Sequence, residues 1–167
     1  MPYEIELNQG VGPLRLGMTQ AEVSRILGAP TRQADPAAYD FLDEEDRVYL
    51  RDQLVETREK TGDLPIIDLL YHKNRLVSIR LDGKTRDVTL FGRVLADERA
   101  QALNALQRLG GAVFINGESY FFEQSGIVLT RTKARKDINY AEIVDSKFQK
   151  LRLAFDCYKP HTGPIIP

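Results

Sequence analysis

Gly10-Val11-Gly12-Pro13-Leu14-Arg15-Leu16-Gly17-Met18-Thr19-Gln20-Ala21-Glu22-Val23-Ser24-Arg25-Ile26-Leu27-Gly28-Ala29-Pro30 decides the fold of this 167-residue chain. Thr19 and Glu22 stand at the spacing of a capping box: the threonine oxygen takes an amide proton of the first turn, and the glutamate reaches back to the threonine amide. Met18 and Val23 occupy the two positions of a hydrophobic staple. Val23, Ile26 and Leu27 form one apolar stripe at helical spacing, and Gly28 with Pro30 supplies the stop. The stretch therefore predicts a short helix with both ends specified, entered from a tight glycine turn. Its glycines also suggest a phosphate loop, but Arg15 stands where the third glycine would be, and Pro13 removes an amide donor that an anion needs.

Working outward, Tyr3, Ile5 and Leu7 alternate with Glu4 and Glu6, the period of a strand with one buried face. Residues 31–38 are turn-like, and Tyr39-Asp40-Phe41-Leu42 reads as a short strand. Residues 43–60 are rich in acids and arginine, with Val48, Leu54 and Val55 on one helical face, which predicts a helix; Val48-Tyr49-Leu50 is also compatible with an extended segment. Ile66 to Tyr71 and Leu76 to Leu81 flank His72-Lys73-Asn74-Arg75, a hairpin signal. Residues 88–95 are β-rich and broken by Gly92, which suggests a bulge or a crossing.

Asp97 is the expected N-cap of a second helix carrying Ala100, Leu103, Leu106 and Leu109 and ending at Gly110-Gly111. A hairpin turned by Asn116-Gly117 follows, because Asn-Gly tolerates positive φ at both turn positions. Ile127 to Arg131 and residues 148–155 read as further strands. The three prolines of residues 159–167 predict a frayed tail.

The two halves share an order of helix ending in Leu-Gly and then hairpin, with Leu27-Gly28 and Leu109-Gly110 in corresponding places. The expected fold is α+β: one domain over residues 1–158, with two imperfect helix-plus-hairpin repeats at about 3–91 and 92–157. Both helices would lie on one face of a single antiparallel sheet, with an insertion at about 43–65.

Composition is that of an ordinary globular chain, 43% hydrophobic and 28% charged, with a net charge of −1. That charge gives no support to nucleic-acid or membrane binding. One cysteine, Cys157, excludes an internal disulfide and fits a reducing compartment. No signal peptide or long apolar run is visible at the N-terminus, so the sequence implies a cytoplasmic protein.

Gly10 to Thr19, Glu22-Val23 and Leu27-Gly28-Ala29-Pro30 resemble the opening of small bacterial proteins with tandem helix-plus-sheet repeats. That group is similar to the β-lactamase inhibitor protein and to small outer-membrane assembly lipoproteins. Tyr71 to Ile79 resembles its next hairpin, and Leu90 to Leu95 its passage into the second repeat. The resemblance implies binding in place of catalysis, and a toxin-immunity protein of interbacterial competition that occludes a cognate toxin. The chain departs from the outer-membrane relatives in having no cysteine near its start, and from the whole group in the 43–65 insertion.

Reactive constellations are scarce in the sequence. Cys157 and His161 are separated by Pro160, which breaks any helix that would align them. His72 has no second histidine beside it, and the acids near residue 44 do not follow a calcium-loop pattern. No metal, cofactor or catalytic residue is expected. Residues 35–63 hold ten acidic and four basic residues, a local charge of −6, whereas residues 131–159 carry +4. The acidic insertion is therefore the expected partner site: Asp40, Asp43, Glu44, Glu45, Asp46, Asp52 and Glu56, with Tyr49 as an aromatic anchor. The alternatives are a small ligand-binding domain or enzyme using a sheet face, with a pocket lined by Tyr71, Tyr120 and Phe122, or a scaffold subunit of a bacterial assembly.

Overall fold

The structure is a computed structural model that describes residues 3–59, 65–82, 87–131, 138–149, 158–163 and 165. It is a mixed α+β fold, mostly strand, in two antiparallel-rich sheets. The smaller sheet is built from β1 (Tyr3–Glu6), β2 (Gly10–Val11), β3 (Leu14–Arg15), β8 (Val88–Leu90) and β9 (Arg93–Val94), in the order β3-β2-β1-β8-β9. Among the described residues its one parallel pair joins β1 to β8. The larger sheet holds β4 (Arg32–Ala34), β5 (Gln53–Arg58), β6 (Ile67–His72), β7 (Arg75–Asp82), β10 (Val113–Asn116), β11 (Ser119–Phe122), β12 (Ile127–Arg131), β13 (Ile138–Val144) and β14 (Lys159–His161). Its order is β14-β10-β11-β12-β13-β7-β6-β5-β4, all antiparallel.

The opening corner folds as its residues dictate. Gly12, at φ 53°, turns β2 into β3. A Cβ on Gly10 would lie 2.0 Å from the Leu14 carbonyl oxygen, so no other residue fits there. α1 (Gln20–Leu27) starts at Thr19 with both capping-box bonds made and ends at Gly28, φ 78°. The Thr19 amide and hydroxyl hold the Glu22 carboxyl below the usual glutamate range.

One core lies between the large sheet and the layer formed by the small sheet, α1 and α3 (Arg99–Arg108). Val23 of α1, Leu103 and Leu106 of α3, and Ile5 and Leu90 of the small sheet meet Ile67, Leu69, Tyr71, Ile79, Leu81, Leu129 and Ile143 there. Full burial stabilises by roughly 1.5–3 kcal/mol for each such aliphatic side chain. Because strand side chains alternate, the intervening residues Asp68, Leu70, Ser78, Arg80, Glu142 and Val144 point to the opposite face.

A buried polar cluster sits inside this core. Glu56, 1% exposed, pairs with Arg58 at 3.0 Å and accepts hydrogen bonds from Gln20 (2.9 Å), Gln33 (3.1 Å) and the Tyr71 hydroxyl (3.1 Å). Arg58 also donates twice to the Gly28 carbonyl, so the pair ties both ends of α1 to the sheet. Burial pushes the Glu56 pKa up, but the four hydrogen bonds outweigh it and the net shift is downward. Burial, and then the Glu56 charge, pushes the Tyr71 hydroxyl above its usual value.

The structure departs from the sequence expectations at several elements. Residues 43–60 are not one helix: α2 (Glu44–Leu50) is followed by a turn at Asp52, φ 63°, and then by β5. Residues 39–42 form no strand, whereas residues 31–38 contain β4 and a 3-10 turn, Pro36–Ala38. The Gly92 break is a tight hairpin with Phe91 and Gly92 both at positive φ. Asp97 does not cap α3; Glu98 takes that position without a side-chain bond. β13 was not expected from the sequence and lies mid-sheet between β12 and β7. Residues 146–149 are helical, and the rest of the predicted 148–155 strand lies outside the described residues, as does Cys157. The tail is tied down by β14 pairing with β10 and by Ile165, 4% exposed in the core. α1 and α3 pack into one core, as expected, but the strands form two sheets in place of the single one expected, and α2, within the 43–65 stretch, lies over the far side of the large sheet.

Candidate functional site

The far face of the large sheet is covered in two places. Over β10 to β13, Phe148 packs with Val77, Phe121, Val128 and Val144, and Tyr158 closes on Phe121. Over β5 and β6 lie the 3-10 turn and α2, whose N-terminal residues are ordered by Asp35 capping Ala37 and Asp43 capping Asp46. Between these covers runs a groove of about 270 Å³, lined by Pro36, Tyr49, Leu50 and Gln53 on one side and Phe148 on the other. Val55, Leu70, Ser78, Arg80 and Glu142 make its floor. It continues past Asp68 and Thr57 towards Arg32 and Tyr39 at the edge of the sheet.

The floor carries an ordered polar row across four strands. Thr57 donates to Asp68 at 2.7 Å, and Arg80 donates to the other Asp68 oxygen at 2.7 and 3.2 Å. Arg80 also lies 5.0 Å over the Tyr140 ring. Ser78, 2% exposed, donates to Glu142 at 2.5 Å. Register places Thr57 opposite Asp68, Asp68 opposite Arg80, and Arg80 opposite Glu142, so the row follows from the antiparallel ladder. These groups present fixed donors and acceptors on an apolar floor.

At the outer lip, Tyr39 and Phe41 stack at 5.4 Å between ring centroids with an interplanar angle of 29°. Phe41 is 82% exposed and Val48 55%. Aromatic side chains are enriched at contact surfaces relative to the rest of a protein's exterior. The sequence expectation does not include Tyr39 or Phe41; the signal for them is two aromatics next to one acidic cluster.

The sequence-predicted site residues divide. Asp40, Asp43, Glu44 and Glu45 are exposed around this lip, with Asp46 half-buried. Tyr49 lines the groove. Asp52 is exposed in the turn before β5, where its carbonyl accepts from Lys73. Glu56 stands apart from the others, buried in the core on the opposite face. The pocket expected from Tyr71, Tyr120 and Phe122 does not form, because Tyr71 and Phe122 face the core.

A separate cavity of about 470 Å³ lies beside the β6–β7 turn, lined by His72, Arg75, Val77, Lys147 and Phe148. The His72 ring is 6.0 Å from Phe148, and its Nδ1 finds no hydrogen-bond partner among the described residues. Among those residues no cluster of metal-ligating side chains occurs, and no helix is long and apolar enough to cross a membrane.

No protein-family model and no curated protein matches the sequence. Among solved structures, the chain is similar to an extracellular protein containing an SCP domain from Bacillus anthracis str. Ames, with a TM-score of 0.53 and 9% identity over 91% of this chain and 50% of that one. A cysteine-rich secretory protein from Staphylococcus aureus aligns at a TM-score of 0.49 and 11% identity, over 97% and 55% of the two chains. The chain thus spans half the length of the Bacillus structure. Likeness at this identity is a likeness of fold. It runs to an extracellular SCP-domain protein and not to the toxin-immunity repeat proteins, which overturns the resemblance to that group, the immunity function and the cytoplasmic location inferred with it.

Proposed function

We propose that the protein is a non-catalytic binding domain that holds its partner in the groove on the far face of the large sheet. The observation that supports this most is the groove itself: apolar walls from Tyr49, Leu50 and Phe148 over a floor whose polar groups, Asp68, Arg80, Ser78 and Glu142, already hold one another in place. Such a surface is preorganised to orient a ligand. Asp40, Asp43, Glu44, Glu45 and Asp46 with Tyr49 would then border or line the site, and Glu56 would serve the scaffold. The halves read best as an imperfect duplication in a single domain: β1 to β3 and α1 precede the β6–β7 hairpin, and β8, β9 and α3 precede the β10–β11 hairpin.

The test is a fragment screen by ligand-observed NMR on the wild type and on Leu70→Trp, which fills the floor. Fragments that bind the wild type are expected to lose binding in the variant while its melting temperature is kept. Fragments that bind both proteins equally, or neither, would overturn the groove as the site.

A further inference from the structure

We infer that the sheet edge beside the groove accepts an extended, basic polypeptide segment as an additional strand on β4. This rests on the binding-domain reading and names the partner. β4 is the last strand of the nine-stranded sheet, and Arg32, Gln33 and Ala34 are all exposed. Its backbone pairs with β5 on one side only among the described residues. An edge left open in this way presents amide and carbonyl groups at strand spacing, the template on which extended peptides add to sheets.

Two features next to the edge select which peptide. The Tyr39–Phe41 stack offers an apolar seat for a side chain of the incoming strand, and an aromatic pair so exposed gains the most by being covered. Glu44 and Glu45, exposed in the first turn of α2, together with Asp40, put negative charge on the segment that carries this stack. Side chains of the incoming strand that face this lip all lie on one face, so lysine or arginine at alternate positions sets its charge in the field of those acids and its methylene stem against the aromatics, while the intervening β-branched residues point to the other face of the sheet. Natural edges are commonly defended by charged side chains, proline, a bulge or shortness; β4 is short, three residues that end before Pro36, and its one charged side chain, Arg32, lies 3.6 Å from Glu59.

The probe is a fluorescent synthetic peptide alternating lysine with valine, compared with its glutamate–valine counterpart. Binding is read by anisotropy, and the site by amide hydrogen exchange of the full chain. The lysine peptide is expected to slow exchange in β4 and to bind about tenfold more weakly at high salt. Phe41→Ser is expected to weaken it by about tenfold, and reversal of Glu44 and Glu45 to lysine to remove the salt dependence. Equal binding of the two peptides, or protection that leaves β4 unchanged, would overturn the inference. Leu70→Trp separates the two proposals: it plugs the groove without touching β4, so retained peptide binding with lost fragment binding supports both. Peptide binding that survives every change at the lip places the partner elsewhere.

Discussion

Replacing Glu56 with alanine should be among the most destabilising single changes available in this chain. The carboxylate is 1% exposed and has four donors aimed at it, from Gln20, Gln33, Arg58 and Tyr71. Its removal leaves the Arg58 guanidinium buried with, among the described residues, the Gly28 carbonyl as its remaining acceptor, and takes their acceptor from the Gln20 amide and the Tyr71 hydroxyl, while the exposed Gln33 turns to water. Removing one member of a buried pair costs about 3–5 kcal/mol, a large share of the 5–15 kcal/mol that holds a typical domain folded. The double variant Glu56→Ala with Arg58→Met should recover part of that loss, because it removes the uncompensated charge along with its partner. Urea unfolding midpoints of the wild type, both singles and the double give the cycle. A loss below about 1 kcal/mol in the single variant, or a double no better than the single, would refute the assignment of this cluster as the clamp between α1 and the sheet.

The same carboxylate makes a pH prediction. Its folded pKa lies below the 4.5 of an ordinary glutamate, so its contribution is complete above that value and is lost as pH falls through the lowered folded pKa; the wild type should lose stability in that acid window more steeply than Glu56→Gln does. Thr19→Ala removes the capping hydroxyl of α1 and should cost about 1 kcal/mol, read as a lower urea midpoint at unchanged slope. Ile165→Ala should cost about 2–5 kcal/mol if the tail is seated in the core, whereas a frayed tail would show almost no change. Phe41→Ser should leave stability within about 0.5 kcal/mol, since an 82% exposed ring contributes little to folding.

The parts of the fold legible in the sequence are those fixed by local chemistry. The capping box at Thr19 and Glu22 is one. The two-residue turn at Lys73-Asn74, with both residues at positive φ, is another. What was not legible depends on distant partners. The residues of β5 are helix-compatible in sequence because the run from Asp43 onward is charged, and the chain turns at Asp52, which reaches positive φ without a glycine to announce it. β13 carries Glu142 and Asn139 among its apolar residues, so its alternation is weak; β7 and β12 on either side hold it in place. Glu56 looked like one more surface acid because no sequence pattern shows that Gln20, Gln33 and Tyr71 converge on it. The groove has no sequence signature for the same reason, since its floor comes from four strands whose far faces meet only in the sheet.

The central claim is that the far face of the large sheet, beneath α2, is where a partner is held. Backbone and methyl chemical-shift mapping of the full chain during titration with a bound fragment tests it most directly. The account predicts shifts concentrated at Tyr49, Val55, Leu70 and Ser78, and absent from the Tyr120–His161 end of the sheet. Shifts centred on that opposite end, or on the His72 cavity, would contradict it.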